Sequence, residues 1–370
     1  MTFFIILIVD FLLAVAVGAA IVKMLLTVAY KNRLFDIPNQ RRVHTVPVPR
    51  LGGMSFMPTL MIVIAFSLGF IYRTGIMKTP APDGILIIRL SYMLGSAMLL
   101  YVVGLLDDLT DLNYKVKFVV QFLASALLVS SGIWLNNFYG LFGINDIPFY
   151  IGMPFTIILF ILITNAINMI DGIDGLASGV SMITLAVLGA IFIREKRFIY
   201  STVALTLLGA ILAFWLFNMF GTPKRKTKLY MGDTGALTIG LVLCFLIVSL
   251  CSFTGINGIS TNGKYLTIVF SSLLVPILEV PRLMVTRILT HKNPFEADSN
   301  HIHHRLMRCG LSARQTLFLI IGLDVAVILL TAAMTRIFNI NIIFIIDVAI
   351  YVLLQLIIAR KVKMDSVPKV

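Results

Sequence analysis

Charged residues are scarce: Asp, Glu, Lys and Arg make up 13% of the 370 residues, about half the share of an ordinary soluble domain. Cysteine is scarcer still. Cys244, Cys251 and Cys309 are the only three, and they match neither a disulfide framework nor the paired spacing of a metal site. No polar stretch is long enough to fold as a water-soluble domain, and no internal repeat is visible. Apolar residues fill the chain instead, 59% of the total at a mean hydropathy of +0.99. They fall into blocks of roughly twenty, the length that crosses ~30 Å of hydrocarbon as α-helix. Such a chain is an all-α polytopic membrane protein, which excludes secreted, cytosolic and DNA-binding classes; no nucleic acid is expected as a partner.

Apolar blocks between charge and Gly/Pro punctuation predict about eleven transmembrane helices in a single integral membrane domain, 1–370. The spans expected are 3–29, 51–72, 86–106, 116–135, 150–169, 175–193, 199–217, 235–253, 265–288, 314–335 and 340–359. The first block has no basic residue before it and outruns a signal-peptide core, so it is expected to be retained. The net charge of +13 reports topology before it reports a ligand. One set of loops, from Lys31 through the C-terminal tail, carries twenty Lys and Arg; the opposite set carries seven. The positive-inside rule then puts the C-terminus in the cytoplasm and the N-terminus outside. Arg194, Lys196 and Arg197 lie on the wrong side and argue the other way.

The remaining polar residues sort with the basic loops. All five histidines (His44, His291, His301, His303, His304) fall there, with Asp36, Asp107, Asp108, Asp111, Asp171, Asp174, Asp233, Glu296 and Asp298. Positive-inside bias accounts for none of these, so a site facing the cytoplasm is expected.

Four segments carry that expectation. An apolar span ends in Asp107-Asp108, with Asp111 three residues on. Carboxylates this close repel unless a cation sits among them, and magnesium favours a few carboxylates plus phosphate oxygens; a solvated turn is the plain alternative. Asn165 and Asn168 precede Asp171-Gly172-Ile173-Asp174-Gly175 between two spans, where polar groups are costly unless used. A third segment runs from Asn218 through the cations Lys224 to Lys228 into Tyr230-Met231-Gly232-Asp233. Asp233 there could cap a helix, while Tyr230 suits a stacked base whose phosphates reach a metal. The fourth is His301-Ile302-His303-His304-Arg305, whose imidazoles beside a guanidinium can donate to phosphate. Zinc is disfavoured, since no cysteine or suitably spaced carboxylate completes a tetrahedral set. Asp10, Asp324 and Asp347 inside spans, and the Glu279–Arg282 pair at i, i+3, are expected to be structural.

Acids that gather magnesium, cations for phosphates and an aromatic for a base specify a nucleotide diphosphate substrate, and eleven spans specify a membrane-embedded acceptor. The reaction that fits is phosphoryl transfer from a nucleotide-sugar to a lipid phosphate. A secondary transporter for a phosphorylated sugar or lipid is a competing reading, although transporters place ionisable groups near the midplane and often show paired repeats. A metal-dependent prenyltransferase shares acid-rich motifs but leaves the histidines unexplained.

At these residues the chain resembles the polyprenyl-phosphate N-acetylhexosamine-1-phosphate transferases, which include the phospho-MurNAc-pentapeptide transferase MraY and the GlcNAc-1-phosphate transferases WecA and TagO. The likeness runs from Asp36-Ile37-Pro38-Asn39 and Pro49-Arg50-Leu51-Gly52-Gly53 through the aspartate pair, Asn165 to Gly172 and Met231-Gly232-Asp233-Thr234-Gly235 to His301-Ile302-His303-His304. The last motif, followed by Arg305-Leu306, looks like the WecA and TagO branch. The resemblance implies transfer of N-acetylhexosamine-1-phosphate, most often GlcNAc-1-phosphate, from a UDP-sugar to undecaprenyl phosphate in the bacterial cytoplasmic membrane, with UMP released. An MraY-like transfer of phospho-MurNAc-pentapeptide is the alternative within the family. Asp107 and Asp108 would lie at the reaction centre, Asp233 would ligate Mg2+ (or Mn2+ in its place) with that pair, and Lys117 would hold the lipid phosphate. Asn168, Asp171, Asp174 and Asn218 would line the uridine site under Tyr230. His301, His303 and His304, with Arg305, would hold diphosphate or sugar, and His44 is counted with the substrate-binding residues. Partners implied are the UDP-N-acetylhexosamine, undecaprenyl phosphate, the bilayer and a second copy in a homodimer. Glu279 departs from the family pattern, which has an aspartate there.

Overall fold

A computed structural model describes residues 2–35, 47–75, 84–252, 260–293 and 300–365. His44 lies outside the described residues, as do Asp36, Glu296 and Asp298. Four helices come first: α1 (Thr2–Asn32), α2 (Phe56–Thr74) led by a 3-10 turn (Gly52–Ser55), α3 (Gly84–Thr110) and α4 (Tyr114–Val129). A hairpin of β1 (Asn137–Leu141) and β2 (Ile144–Asp146) separates them from α5 (Phe149–Ile170), α6 (Leu176–Arg194), α7 (Phe198–Phe220) and α8 (Gly232–Cys251). Last come α9 (Ser260–Ser272), α10 (Leu274–Leu289), α11 (Ile302–Arg308), α12 (Ala313–Met334) and α13 (Ile340–Asp365).

Among the described residues nine helical stretches are long and apolar enough to cross a membrane, or ten if the bent pair α9 and α10 is one span. Two places differ from the expected pattern. The block at 116–135 yields α4, whose 16 residues rise only about 24 Å at ~1.5 Å each. The block at 265–288 is broken at Leu273, where α9 and α10 meet at 68°. Pro276 explains the break, because it has no N–H for the Ser272 carbonyl and its ring crowds that turn.

α8 is the axis of the bundle. Every one of its residues is buried, enclosed by α3, α5, α6 and α9, as its apolar sequence on all sides requires. Between helices in lipid the hydrophobic effect gives little, so small side chains and close backbones supply the contact. At the α1–α7 seam a Cβ on Gly18 would stand 3.2 Å from Ala213 Cβ, and one on Gly209 would stand 2.7 Å from the Phe11 carbonyl. Outward faces keep their apolar side chains exposed, among them Ile8 and Leu12 of α1, Ile85 and Ile87 of α3, and Leu353 and Ile357 of α13. That surface suits hydrocarbon and not water.

The ends of the helices divide the polar residues. The last turns of α3, α5 and α7 meet the first turns of α4, α6 and α8 at one end, through the contacts described below. The hairpin closes the other end, where Ser252 Oγ, just past α8, donates to the Trp134 carbonyl at 2.6 Å. Its two-residue turn, Phe142-Gly143, has positive φ at both positions, 53° and 77°, the type I′ geometry that matches strand twist.

Candidate active site

Segment 49–53 is laid against the entrance of α8 by backbone bonds. Tyr230 N donates to the Pro49 carbonyl, Gly52 N to the Tyr230 carbonyl and Gly53 N to the Met231 carbonyl, each at 2.8 Å. Gly232 then turns the chain into α8 at φ +74°, and a Cβ there would fall 2.4 Å from Asp108 Oδ2. Only glycine serves at such a position.

Asp108, at the end of α3, fills the place of a helix cap. Its Oδ1 accepts from Asp233 N at 2.8 Å, and its Oδ2 accepts from Thr234 N at 3.0 Å and Thr234 Oγ1 at 2.7 Å. These are the first free amides of α8, where a carboxylate also meets the positive end of the helix dipole. Asp233 therefore does not cap its own helix. Its side chain faces the other way: Oδ1 accepts from Arg50 Nη2 at 2.8 Å, and Oδ2 accepts from Lys117 Nζ at 2.9 Å and Asn168 Nδ2 at 3.1 Å. Asp107 shares the same ammonium, its Oδ2 lying 3.0 Å from Lys117 Nζ, while its Oδ1 accepts from Leu112 N at 2.8 Å. Four helix ends thus converge on one ammonium between two carboxylates. Arg50 stands on the other side of Asp233, with Nε 3.6 Å from Asp108 Oδ1. Burial works against its charge, but Asp233 and Asp108 outweigh that and hold its pKa above the ordinary value.

A second cluster forms around the turn from α5 to α6. Asn218, at the end of α7, accepts from Gly175 N at 2.8 Å and donates to the Leu229 carbonyl at 2.9 Å and to Asp174 Oδ1 at 3.4 Å. Lys228 Nζ donates to Asp174 Oδ2 at 2.5 Å and to the Asn218 carbonyl, and lies 6.0 Å from the centre of the Tyr230 ring. Asp171 links the clusters. It ends α5, and burial pushes its carboxyl up to about 7, with Arg50 pulling down and Asp233, Asp108 and Asp174 pushing up.

The histidines form the third group. The ring centres of His301 and His303 are 5.6 Å apart, and those of His303 and His304 are 4.3 Å apart. His303 is 1% exposed, and among the described residues neither of its ring nitrogens has a hydrogen-bond partner. Burial, then the neighbouring imidazoles of His304 and His301, hold it well below the usual histidine range, so it is neutral at neutral pH. It presses on the turn that follows Asp171: a Cβ on Gly172 would stand 2.1 Å from His303 Nε2. Arg305 behaves differently from its neighbours, since its guanidinium donates to Gln355 Oε1 of α13.

Asp107, Asp108, Lys117, Asn168 and Asp233 are thus in one cluster, and Asp174, Asn218 and Tyr230 in another. Asp171 lies among their charges and touches, through Gly172, the histidine group. Arg50 and Lys228, which the sequence offers only as part of a motif and of a basic run, take central places. A lone arginine between a proline and a pair of glycines was the available signal for the first. Among the described residues no group of three or more His, Cys, Asp or Glu side chains forms a ready metal cage. Asp107 and Asp233 nevertheless face each other across a cation, and hard carboxylate oxygens in so small a number suit magnesium, which completes its shell with water and substrate phosphates.

The model of a family described as Glycosyl transferase family 4 matches residues 90–251. The chain is 30% identical over 324 residues, 84% of its length and 78% of the relative's, to a probable undecaprenyl-phosphate N-acetylglucosaminyl 1-phosphate transferase of Bacillus subtilis (strain 168). It is 29% identical over 301 residues, 79% of its length and 74% of the relative's, to the undecaprenyl-phosphate alpha-N-acetylglucosaminyl 1-phosphate transferase of Escherichia coli (strain K12). A decaprenyl-phosphate N-acetylglucosaminephosphotransferase of Mycobacterium tuberculosis (strain ATCC 25618 / H37Rv) is 30% identical over 330 residues, 82% of this chain and 76% of the relative.

Proposed function

The chain belongs to the polyprenyl-phosphate hexosamine-1-phosphate transferases, and we propose that it transfers GlcNAc-1-phosphate from UDP-GlcNAc to undecaprenyl phosphate. An oxygen of the lipid phosphate attacks the phosphorus that bears GlcNAc, the bond from that phosphorus to the bridging oxygen breaks, and UMP leaves. The product is GlcNAc-diphospho-undecaprenol, the first intermediate of a cell-envelope polysaccharide. The names of the relatives support donor and acceptor.

The observation that carries this reading is the Lys117 ammonium held by Asp107 and Asp233. Lys117 opens α4 beside the end of α3, and a lipid phosphate arriving from the bilayer exchanges places with one of those carboxylates on it. Asp107 is then freed to accept the acceptor's proton or orient its oxygen. Arg50 and Lys117 between them neutralise the diphosphate as its charge shifts towards the leaving group. Tyr230 stacks on the uracil, with Asp174, Asn218 and Lys228 beneath it, and the neutral His303 offers a ring N–H to diphosphate or sugar. Mg2+, or Mn2+ in its place, is held in this proposal by Asp233 and Asp107, and when bound it supplies positive charge to the phosphate oxygens. Asp108 is committed to α8 and acts by holding Asp233 in place.

The same proposal puts the protein in the bacterial cytoplasmic membrane with eleven crossings, α4 and the bent pair α9 and α10 each making one. The N-terminus is outside, and the site and C-terminus are cytoplasmic. Twenty basic residues against seven and a nucleotide donor made in the cytoplasm support this orientation. The test is a two-phase assay: chain purified in detergent, undecaprenyl phosphate, magnesium and radiolabelled UDP-GlcNAc, UDP-GalNAc or UDP-MurNAc-pentapeptide in turn. Label from UDP-GlcNAc entering the organic phase with an equal yield of UMP is expected. Label that stays aqueous, or a preference for UDP-MurNAc-pentapeptide, overturns the assignment.

A further inference from the structure

Glu279 of α10 is buried, 1% exposed, and lies outside all three clusters, yet one carboxylate there gathers five donor contacts. Oε1 accepts from Arg282 Nη2 at 2.5 Å and from the backbone N–H of Ile302 at 2.8 Å. Oε2 accepts from Arg282 Nε at 3.0 Å, Tyr351 Oη at 2.6 Å and Gln355 Nε2 at 3.3 Å. Arg282 Nη2 also donates to the Asn300 carbonyl at 2.7 Å. The ion pair expected within α10 therefore forms, but it does more than neutralise itself. It grips the backbone on both sides of His301, at the start of the helix that carries His303 and His304.

The α13 contacts extend the grip. Gln355 gives its amide to Glu279 and takes the Arg305 guanidinium on its carbonyl, so α11 is tied at its first residue to α10 and one turn later to α13. On its opposite side α11 has no slack, because His303 already rests on Gly172 at a separation that admits no Cβ. A carboxylate at this position sets how far α11 is drawn from the α5–α6 turn. Loss of one methylene moves it by about 1.5 Å, a carbon–carbon bond, and reactions of this kind are sensitive to errors of that size.

We propose that Glu279 is a positioning residue for His303: through Ile302 N–H, and through Arg282 on the Asn300 carbonyl, it fixes where that imidazole meets the substrate. The proposal rests on the phosphotransferase reading for what His303 does, and on the hydrogen bonds alone for how Glu279 places it.

The experiment uses the full chain in lipid nanodiscs, with Glu279→Asp, which keeps the charge, Tyr351→Phe, which removes one donor, and each combined with His303→Ala. Glu279→Asp should lower kcat at least tenfold with the KM for each substrate within about twofold of wild type, and Tyr351→Phe should lower it less. In the His303→Ala background Glu279→Asp should have no further effect, because its action passes through that imidazole. A purely structural role predicts additive losses; additive losses, or an unchanged kcat, overturn the proposal. Hydrogen–deuterium exchange over residues 300–309 is read in parallel without turnover, and Glu279→Asp should speed it while α8 stays protected. Unchanged exchange there also overturns the proposal. Absence of any transfer by the wild-type chain would sink the phosphotransferase reading instead, and exchange would still decide whether Glu279 holds α11.

Discussion

Asp108 caps the helix that carries Asp233: the Asp233 backbone N–H donates to Asp108 Oδ1 at 2.8 Å, so the two acids of different helices are joined directly by amide and carboxylate as well as through the Arg50 guanidinium they share. Their side chains consequently do different work, one holding the entrance of α8 and the other facing Arg50 and Lys117.

Replacement of either acid by its amide should separate those roles. Asp108→Asn turns an N–H2 towards amides that need an acceptor, leaving a buried donor unpaired at a cost of about 1–3 kcal/mol. Its unfolding midpoint in detergent should drop, turnover should fall, and the magnesium requirement should stay as it was. Asp233→Asn should abolish nearly all turnover, with the remainder needing more magnesium. Magnesium titrations that shift for Asp108→Asn and not for Asp233→Asn would reverse the assignment.

Gly172→Ala should act on chemistry through His303. The added methyl would lie 2.1 Å from Nε2, so the imidazole must move by an amount worth roughly tenfold or more in kcat. Gly322→Ala, where a Cβ meets nothing within 4 Å, is the control and should match wild type. Equal kcat for the two variants would remove His303 from the site.

Donor binding should report on Tyr230. Stacking on a base is worth about 1–3 kcal/mol, so Tyr230→Ala should raise the KM for UDP-GlcNAc about 5- to 150-fold, and Tyr230→Phe should stay near wild type. Equal damage from both changes would assign the contact to the hydroxyl.

Stability should fall on the acid side of neutrality because of His303. In the unfolded chain this group titrates near 6.5, whereas burial in the fold holds its pKa well below that. Below about pH 6.5 the unfolded state therefore takes up a proton that the folded state refuses. Stability is lost as pH falls, by at most about 1.4 kcal/mol per pH unit from this residue. His303→Gln should flatten the fall in unfolding midpoint between pH 7 and pH 5; an unchanged slope would show that other groups cause it.

The nine long apolar helices were legible because each is written locally, as an apolar block with polar ends, and the breaker at Pro276 was legible in principle. The hairpin at 137–146 was not, since a pair of short strands inside a loop leaves only Phe142-Gly143 as a signal. The motifs of the site could be picked out because polar residues are rare against so apolar a background. Their pairings could not. Arg50 reaches Asp233 across 183 positions, and nothing in Asp107-Asp108 says that the second acid turns into α8 while the first turns to Lys117. Glu279 reads from the sequence as half of an ion pair, because its partners Ile302, Tyr351 and Gln355 are brought to it only by the packing of α10 against α11 and α13.

The shortness of α4 has a consequence for the membrane itself. Sixteen residues rise about 24 Å, several ångströms short of the ~30 Å hydrocarbon thickness. In the topology proposed above α4 makes one crossing, and a bilayer would meet such a mismatch by thinning locally. The headgroup plane beside α4 would then be drawn inwards, towards the end of the helix where Lys117 stands. A phosphate whose tail remains in the leaflet would be lowered with it to the depth of the ammonium, so the dent in the lipid would bring the proposed acceptor to the protein without the chain having to lift it out.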